Sequence, residues 1–198
     1  MSRFFNKYYD TIMGPLEKRA FRSIRSRLLG DLKGTILEIG SGTGINFAYY
    51  RLAKKLTAIE PELLLSAKSL ARAEQAAVPV EVIRARAEQL PFQSDTFDTV
   101  VGTLVFCTIP DPLAALSEIR RVCKSGGTLL LFEHVKVDNP VLGKFQDWLT
   151  PAWKRMCAGC HLNRNTTEII RSAGFRITQT ESKYNKLFLI VEAINDKV

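Results

Sequence analysis

The sequence predicts an α/β fold built on a doubly wound, mainly parallel sheet. Short apolar runs typical of strands alternate with helical patterns along most of the chain. Glycines at alternate positions, Gly40, Gly42 and Gly44, follow the first of these strands, and an acidic residue, Glu60, ends the second. A strand, a glycine turn, a second strand and an acid are together typical of a unit that binds a nucleoside.

The glycine turn is the best-defined feature of this unit. The strand before it carries the apolar residues Ile36, Leu37 and Ile39, as expected of a strand buried on both faces. Glycine permits a tight turn and a close approach of ligand to the main chain, and we expect a helix to begin just beyond Gly44. Glu60 follows the second strand and can accept hydrogen bonds from both hydroxyls of a ribose.

The spacing of the glycines distinguishes between nucleosides. The dinucleotide motif G-x-G-x-x-G fails here because its third glycine would fall on Ile45. The segment Glu38-x-Gly40-x-Gly42-x-Gly44 instead resembles the first motif of the class I S-adenosylmethionine-dependent methyltransferases. The resemblance implies a Rossmann-like, seven-stranded sheet of five parallel strands and a C-terminal hairpin whose last strand is antiparallel. It also implies S-adenosylmethionine as cofactor and S-adenosylhomocysteine as product.

The same resemblance implies which residues bind the cofactor. They lie in the glycine turn and after the next three strands: Glu38, Gly40, Ser41, Gly42, Gly44, Asn46, Glu60, Pro61, Ala87, Glu88, Thr103, Leu104 and Val105. Ala87 and Glu88 are expected to border the adenine, and the main chain at 103–105 to face the methionine part.

Residues 1–30 are expected to form an N-terminal arm ahead of a methyltransferase domain at 31–198. Residues 15–29 predict a helix with the apolar stripe Phe21, Ile24 and Leu28 and with arginines on its other faces. Such a helix either caps the core with solvated arginines or lies on an anionic membrane surface. By resemblance, the aromatic cluster Phe4, Phe5, Tyr8 and Tyr9 folds over the ligands as a lid.

The remaining elements follow from apolar periodicity and turn residues. Asp111-Pro112 predicts a helix start, and Leu113, Leu116 and Ile119 are expected to form the core stripe of that helix. The other predicted elements are a helix at 63–73, strands at 80–83, 99–105 and 128–132, a turn at 124–127, helices near 141–149 and 167–173, and a closing hairpin at 175–180 and 187–194.

Composition bounds the class of protein. The 198 residues are 46% hydrophobic and 24% charged, which is typical of a globular domain. No stretch approaches the roughly 20 apolar residues of a membrane span, and the N-terminus lacks the apolar core of a signal peptide. We therefore expect a cytoplasmic protein with reduced cysteines. The net charge of +8 favours an anionic partner, such as nucleic acid, a membrane surface or an acidic substrate.

Residues 133–171 are expected to cover the substrate. Their motifs Glu133-His134-Val135, Pro151-Ala152-Trp153 and Gly159-Cys160-x-Leu162-x-Arg164 resemble the branch that includes animal alkyl-thiol methyltransferases and lipid-associated relatives. This implies a small-molecule or lipid-like acceptor: a thiol, a quinone-like ring or an amine. A thiol of ordinary pKa near ~8.5 would need a base or a positive field. His134 is the first candidate for that catalytic role and Glu133 the second.

The segment Cys157-x-x-Cys160-His161 matches the attachment pattern of c-type haem, but the chain shows no export signal. Zinc sites take about four ligands, and no second Cys/His pair is present in the sequence. A redox pair is an alternative. We predict that Cys157 and Cys160 are packing residues and that the protein holds no metal.

Two other functions are compatible with the sequence. One is a nucleic-acid methyltransferase, although the chain contains no Asn/Asp-Pro-Pro-Tyr motif and we do not expect nucleic acid as a partner. The other is a cofactor-binding protein without catalytic activity.

Overall fold

A computed structural model describes residues 11, 14, 15, 17–137, 139–157 and 159–197. The chain divides between Arg86 and Ala87 into two compact units. The proposed lid residues Phe4, Phe5, Tyr8 and Tyr9 lie outside the described residues. No helix in the described part of the chain is long and apolar enough to span a membrane.

The first unit contains three parallel strands. Its elements are a π-helical turn at Glu17–Phe21, α1 at Arg22–Leu29, β1 at Lys33–Ile39, a 3-10 turn at Phe47–Tyr49, β2 at Leu52–Ile59, α2 at Leu63–Ala73 and β3 at Val80–Ile83. β2 pairs with both β1 and β3, with Ile59 opposite Ile39 and Ile83. The strand ends are thus in register, and the turns that follow β1 and β2 leave from the same edge.

The second unit contains two parallel strands and the closing hairpin. Its elements are β4 at Phe97–Thr103, α3 at Pro112–Val122, β5 at Cys123–His134, α4 at Pro140–Met156, α5 at Thr166–Ser172, β6 at Arg176–Lys183 and β7 at Phe188–Ile194. β4 and β5 are parallel, whereas β7 lies antiparallel between β5 and β6. The strand order β3-β2-β1-β4-β5-β7-β6 confirms the predicted seven-stranded, doubly wound sheet.

The helix predicted just beyond Gly44 is wrong. Beyond Gly44 the chain forms only the 3-10 turn, whose Phe47 is buried, and Tyr50 just after it is buried as well. No helix connects β3 to β4 either; the described residues 84–96 form turns and isolated bridges. The aromatic side chains after the glycines pack into the core directly, so a helical turn is not needed to bury them.

Several predicted boundaries and faces also differ. β4 ends at Thr103 rather than 105, because Leu104 adopts a left-handed backbone with φ of 55°. The predicted turn at 124–127 lies inside β5, which begins at Cys123 and carries an irregularity in its pairing there. Leu113 is 50% exposed, whereas Leu116 and Ile119 are buried as predicted and form the core face of α3 together with Ala115 and Val122.

The helix before β1 buries a charge that the sequence pattern placed in solvent. Phe21 and Ile24 are buried as expected, but Leu29 rather than Leu28 completes the apolar contact. Arg25 is only 3% exposed. A buried guanidinium requires partners, and Arg25 forms an ion pair with Glu17.

Asn195 fixes the end of β7 to the start of β5. Its side-chain nitrogen donates to the carbonyl oxygens of Arg120, Cys123 and Lys124 at 2.9, 2.8 and 3.2 Å, and the residue is fully buried. These carbonyl groups lie where α3 ends and β5 begins, and hydrogen bonds to buried carbonyl groups there offset the cost of removing them from water.

We expect Asn195→Ala to lower the free energy of unfolding by about 1–3 kcal/mol, because it removes the buried hydrogen bonds that Asn195 donates to these carbonyl groups. Urea denaturation monitored by circular dichroism measures the change. Asn163→Ala is the matched control, since that side chain donates to Asp147 near the surface. Equal losses in the two variants would contradict a special role of Asn195.

Candidate functional site

The glycine turn after β1 has the backbone that glycine alone adopts readily. Gly40, Gly42 and Gly44 have φ values of 63°, 56° and 79°. A Cβ built on Gly44 would lie 2.8 Å from the Phe47 ring and 3.0 Å from Cα of Ser69 in α2. A Cβ on Gly42 would meet nothing within 4 Å. Gly44 therefore permits close packing of α2, whereas Gly42 leaves open space beside the main chain.

Glu60 holds this turn through its carboxylate. Its Oε2 accepts a hydrogen bond from the N–H of Gly42 at 2.9 Å, and its Oε1 accepts one from the N–H of Glu62 at 2.9 Å. Burial of the side chain raises its pKa, against the effect of these two hydrogen bonds. A carboxylate oxygen has two lone pairs, so each oxygen can accept one further hydrogen bond from a ligand hydroxyl.

Glu38 and Asn46 support the turn from the core. The Glu38 carboxyl group accepts hydrogen bonds from Asn46 Nδ2 at 3.1 Å and from the Tyr50 hydroxyl at 2.7 Å. Asn46 Oδ1 in turn accepts from the guanidinium of Arg25, which pairs with Glu17 at 2.7 Å. Burial raises the pKa of Glu38 to about 7, although its hydrogen bonds to Tyr50 and Asn46 and the charge of Arg25 oppose this. The network joins β1, α1 and the residues after the glycines.

The predicted adenine pair lies at the start of the second unit. Ala87 is buried and Glu88 half-buried in a short turn that follows β3 in the sequence. The N–H of Leu90, just beyond them, donates to the Glu118 side chain at 2.9 Å. Glu118 therefore anchors this turn to α3.

A second turn follows β4, and Glu133 holds it. Leu104 has a positive φ that costs a non-glycine residue free energy. The Glu133 Oε1 accepts hydrogen bonds from the N–H groups of Val105 at 2.9 Å and Phe106 at 3.1 Å. Its Oε2 has no hydrogen-bond partner among the described residues. Burial raises the pKa of Glu133 to about 7, against the effect of the two N–H donors.

His134 and Cys160 contact each other beside this turn. His134 Nε2 lies 2.9 Å from Cys160 Sγ, and atoms of Cys107, His134 and Cys160 all lie within 4.8 Å of one another. The Cys107 thiol, followed by the His134 ring, lowers the pKa of Cys160 to about 5, although burial opposes this. Cys160 is buried, as a packing residue would be, but its contact is with His134 and Cys107 rather than with an apolar neighbour alone.

The sequence interpretation missed Cys107 and the role of Arg164. The Arg164 guanidinium donates to the carbonyl oxygens of Phe106 and Ile109, the latter at 2.9 Å. The N–H of His161 donates to the carbonyl oxygen of Cys107 at 2.8 Å. The motif that ends in Arg164 therefore fixes the turn after β4. The motif that ends in Arg164 was visible in the sequence, but it did not indicate that Arg164 contacts the turn after β4.

Helix α4 presents an apolar stripe on its outer face. The exposed side chains are Val141, Leu142, Phe145 and Trp148, of which Trp148 is 75% exposed. The Phe145 and Trp148 rings lie 5.8 Å apart. Such a stripe is a feature of helices that contact apolar ligands, partners or lipid.

A cavity of about 670 Å³ lies beside the first half of α4, where Pro140, Gly143 and Lys144 line it. It is lined by Lys136, Lys144 and Lys186 among other residues, but by none of Cys107, His134 and Cys160. The cavity and the cysteine–histidine cluster are thus separate features.

Gln146 connects α4 to the segments on either side of it. Its side chain accepts a hydrogen bond from the N–H of Val137 and donates one to the carbonyl oxygen of Leu162.

Comparison with known proteins identifies the family. A family model described as "methyltransferase domain" matches residues 37–131. Thiol S-methyltransferase TMT1B of Rattus norvegicus is 33% identical over 192 residues, which cover 88% of this chain and 78% of that protein. Phosphatidylethanolamine N-methyltransferase of Cereibacter sphaeroides is 33% identical over 53% of each chain. The structure of geranyl diphosphate methyltransferase in complex with S-adenosylmethionine superimposes with a TM-score of 0.74 at 12% identity, over 89% of this chain and 84% of that one.

The buried carboxyl of Glu38 makes stability depend on pH. Its folded pKa of about 7 lies above the ordinary value of 4.5, so its contribution is fully present at low pH and is lost as pH rises through 7. We expect Glu38→Gln to reduce the loss of unfolding free energy between pH 5 and pH 8 by on the order of 1–3 kcal/mol.

Urea denaturation at several pH values measures this difference. Some dependence on pH should remain in the Glu38→Gln variant, because the pKa of Glu133 is raised in the same direction. Glu74→Gln, at an exposed position, is the control and should follow the parent protein. A Glu38→Gln variant with the parent's full pH dependence would contradict the assignment.

Proposed function

This chain belongs to the S-adenosylmethionine-dependent methyltransferases, and from that premise we propose that it transfers the methyl group to the sulfur of a small, apolar thiol. The cofactor is S-adenosylmethionine, and the product of transfer is S-adenosylhomocysteine. The observation that carries the choice of acceptor is the group of Glu133, His134 and Cys160 around the turn after β4. The thiol S-methyltransferases among its relatives, which are similar along most of the chain, support the same choice.

For the cofactor, we propose that Glu60 binds the two ribose hydroxyls. Its oxygens already fix the turn through Gly42 and Glu62, and each retains a lone pair. The open space beside Gly42 leaves room for the nucleoside. Glu38 and Asn46 then act as positioning residues, since their polar atoms are engaged with each other, with Tyr50 and with Arg25. The other residues predicted around the turn, Ser41 and Pro61, remain part of this proposal.

For the methionine part, we propose the main chain of Thr103, Leu104 and Val105, with Ala87 and Glu88 at the adenine. Glu133 acts here as a positioning residue, because its Oε1 fixes the N–H groups that follow Leu104. Main-chain groups held in this way do not reorganise during the reaction, which favours alignment of donor and acceptor.

The reaction needs little beyond alignment and a deprotonated acceptor. When bound, S-adenosylmethionine would supply a methyl group activated by its sulfonium centre; the acceptor sulfur would form the new S–C bond while the sulfonium S–C bond would break, leaving its electron pair on S-adenosylhomocysteine. A thiol of pKa near ~8.5 is mostly protonated at neutral pH, so a group that favours the thiolate accelerates the reaction. We propose His134 for this role. Its ring lies beside the turn after β4, in contact with Cys160.

We propose that residues 133–171 cover the acceptor and that residues 1–30 form an arm ahead of the domain. The apolar stripe on α4 favours an apolar acceptor. It also supports a second candidate, a phospholipid amine presented at a membrane surface, since a phosphatidylethanolamine N-methyltransferase is similar over about half of the chain. Basic side chains on the same helix, Lys144, Lys154 and Arg155, would favour an anionic surface.

We expect Glu60→Ala to weaken S-adenosylmethionine binding about 10- to 150-fold, the equivalent of roughly 1.5–3 kcal/mol for charge-assisted hydrogen bonds. Titration calorimetry on the folded variant measures the affinity. Glu62→Ala is the control, because it keeps the main-chain N–H that Glu60 accepts. Unchanged affinity in Glu60→Ala would overturn the ribose assignment without affecting the family.

For the acceptor, we expect S-adenosylhomocysteine to form with small apolar thiols such as thiophenol and ethanethiol, at a rate that rises with pH toward the pKa of each thiol. Mass spectrometry should detect the methyl thioether. Ethanolamine and phosphatidylethanolamine vesicles are the competing acceptors. Methylation of the amine with no thioether would replace the first candidate by the second, and cofactor binding without any turnover would favour a non-catalytic role.

A further inference from the structure

Three side chains that bind soft metals converge in the second unit from separate segments. Cys107 lies in the turn after β4, His134 ends β5, and Cys160 follows α4. One ligand atom of each, Sγ or a ring nitrogen, lies within 4.8 Å of the other two. Cys107 and Cys160 are 4% and 8% exposed, whereas His134 is only half-buried, so the cluster is sheltered but not closed to solvent.

The main chain holds these segments together independently of the cluster. The N–H of His161 donates to the Cys107 carbonyl oxygen at 2.8 Å, directly beside two of the three side chains. Arg164 binds the carbonyl oxygens of Phe106 and Ile109, on both sides of Cys107. Hydrogen bonds to the main chain on both sides of Cys107 therefore hold the segments that carry the three side chains.

In place of the sequence prediction that the protein holds no metal, we propose that Cys107, His134 and Cys160 bind one Zn²⁺ ion, and that its fourth position takes the sulfur of the methyl acceptor. Two thiolates and an imidazole are a known donor set for zinc with one open position. The first part of this proposal stands on the cluster alone. The second part rests on the proposed thiol acceptor.

The distances are compatible with a tetrahedral ion. Zinc lies about 2.3 Å from sulfur and about 2.0–2.1 Å from nitrogen, which places the ligand atoms roughly 3.6–3.8 Å from one another. In the structure the three ligand atoms all lie within 4.8 Å of one another, which is compatible with these separations. His134 Nε2 and Cys160 Sγ, now 2.9 Å apart, would separate by about 0.7 Å, which is within the reach of side-chain rotation.

A zinc ion would supply what the thiol acceptor needs. An acceptor thiol that enters the fourth position gives up its S–H proton to solvent and is held as a thiolate. Its sulfur lone pair then forms the bond to the methyl carbon, and the sulfonium bond breaks toward S-adenosylhomocysteine. The thioether product carries no charge and binds zinc more weakly than a thiolate, so it can leave.

Cys157 is not part of the cluster, although it forms a C-x-x-C pair with Cys160 in the sequence. It is half-buried, and it is absent from the group of ligand atoms that lie within 4.8 Å among the described residues. The two cysteine ligands of the proposed site are therefore Cys107 and Cys160, and not the C-x-x-C pair Cys157 and Cys160. Cys157→Ser is accordingly the matched control.

The test is metal binding to the reduced, metal-free full chain. We expect one Zn²⁺ per chain in competition with a chromophoric chelator, and Co²⁺ should give thiolate charge-transfer and tetrahedral ligand-field bands. Cys107→Ser, Cys160→Ser and His134→Asn should each weaken Zn²⁺ binding by more than about 100-fold, whereas Cys157→Ser should not. Mg²⁺ should not compete, because it prefers oxygen ligands.

Three results would overturn the metal site: no cobalt bands in the parent protein, equal losses in Cys157→Ser, or a Cys107–Cys160 disulfide in a protein that binds no metal once reduced. Circular dichroism on each variant checks that it is folded. S-adenosylmethionine binding, measured by calorimetry in zinc-free protein, tests the family assignment separately.

Adding thiophenol to the cobalt-loaded protein tests the second part. We expect its sulfur to change the charge-transfer bands, and ethanolamine to leave them unchanged. Cobalt bands that do not respond to any thiol would restrict zinc to a structural role. Thioether formation at full rate in the zinc-free protein would contradict zinc activation while leaving the proposed S-methylation intact.

Discussion

The glycine turn and the turn after β4 each depend on a buried carboxyl group at a strand end. Glu38 in β1 accepts from Asn46 and Tyr50, and Glu133 in β5 accepts from the main chain after Leu104. A carboxyl group in the core must accept hydrogen bonds or be protonated. The hydrogen-bond donors around each of these two groups are therefore held in particular positions. Burial raises the pKa of both groups to about 7, and the hydrogen bonds that each group accepts hold the neighbouring chain in place.

The two groups differ in what they fix. Glu38 is linked through side chains to α1, so the helix ahead of the first strand contributes to the geometry of the glycine turn through Arg25. Glu133 acts directly on main-chain N–H groups and stabilises a residue with an unfavourable backbone conformation, Leu104. Burial of the two carboxyl groups and the strain at Leu104 are unfavourable, but they hold polar groups in fixed positions, as is common at functional sites.

The sequence predicted the sheet well because apolar runs and glycine spacing are local properties. β3 and α2 begin and end where predicted, and the hairpin of β6 and β7 lies within a few residues of expectation. The helix after Gly44 was wrong because burial of Phe47 and Tyr50 decides that segment, and burial is a tertiary property. The contact of Cys107 with Cys160 could not be predicted for the same reason, since the two residues meet only when α4 and β4 are in place.

The exposed stripe on α4 contains a tryptophan, so the intrinsic fluorescence of the protein can report whether the stripe is covered. Of the two tryptophans in the chain, Trp148 is 75% exposed, whereas the Trp153 indole nitrogen is buried. The fluorescence of Trp148 should be red-shifted and open to quenching by iodide in the free protein. Anything that covers the stripe, whether a vesicle or an apolar acceptor, would shift the emission to shorter wavelength and shield it from quencher. Occupancy of this face can therefore be followed without a label.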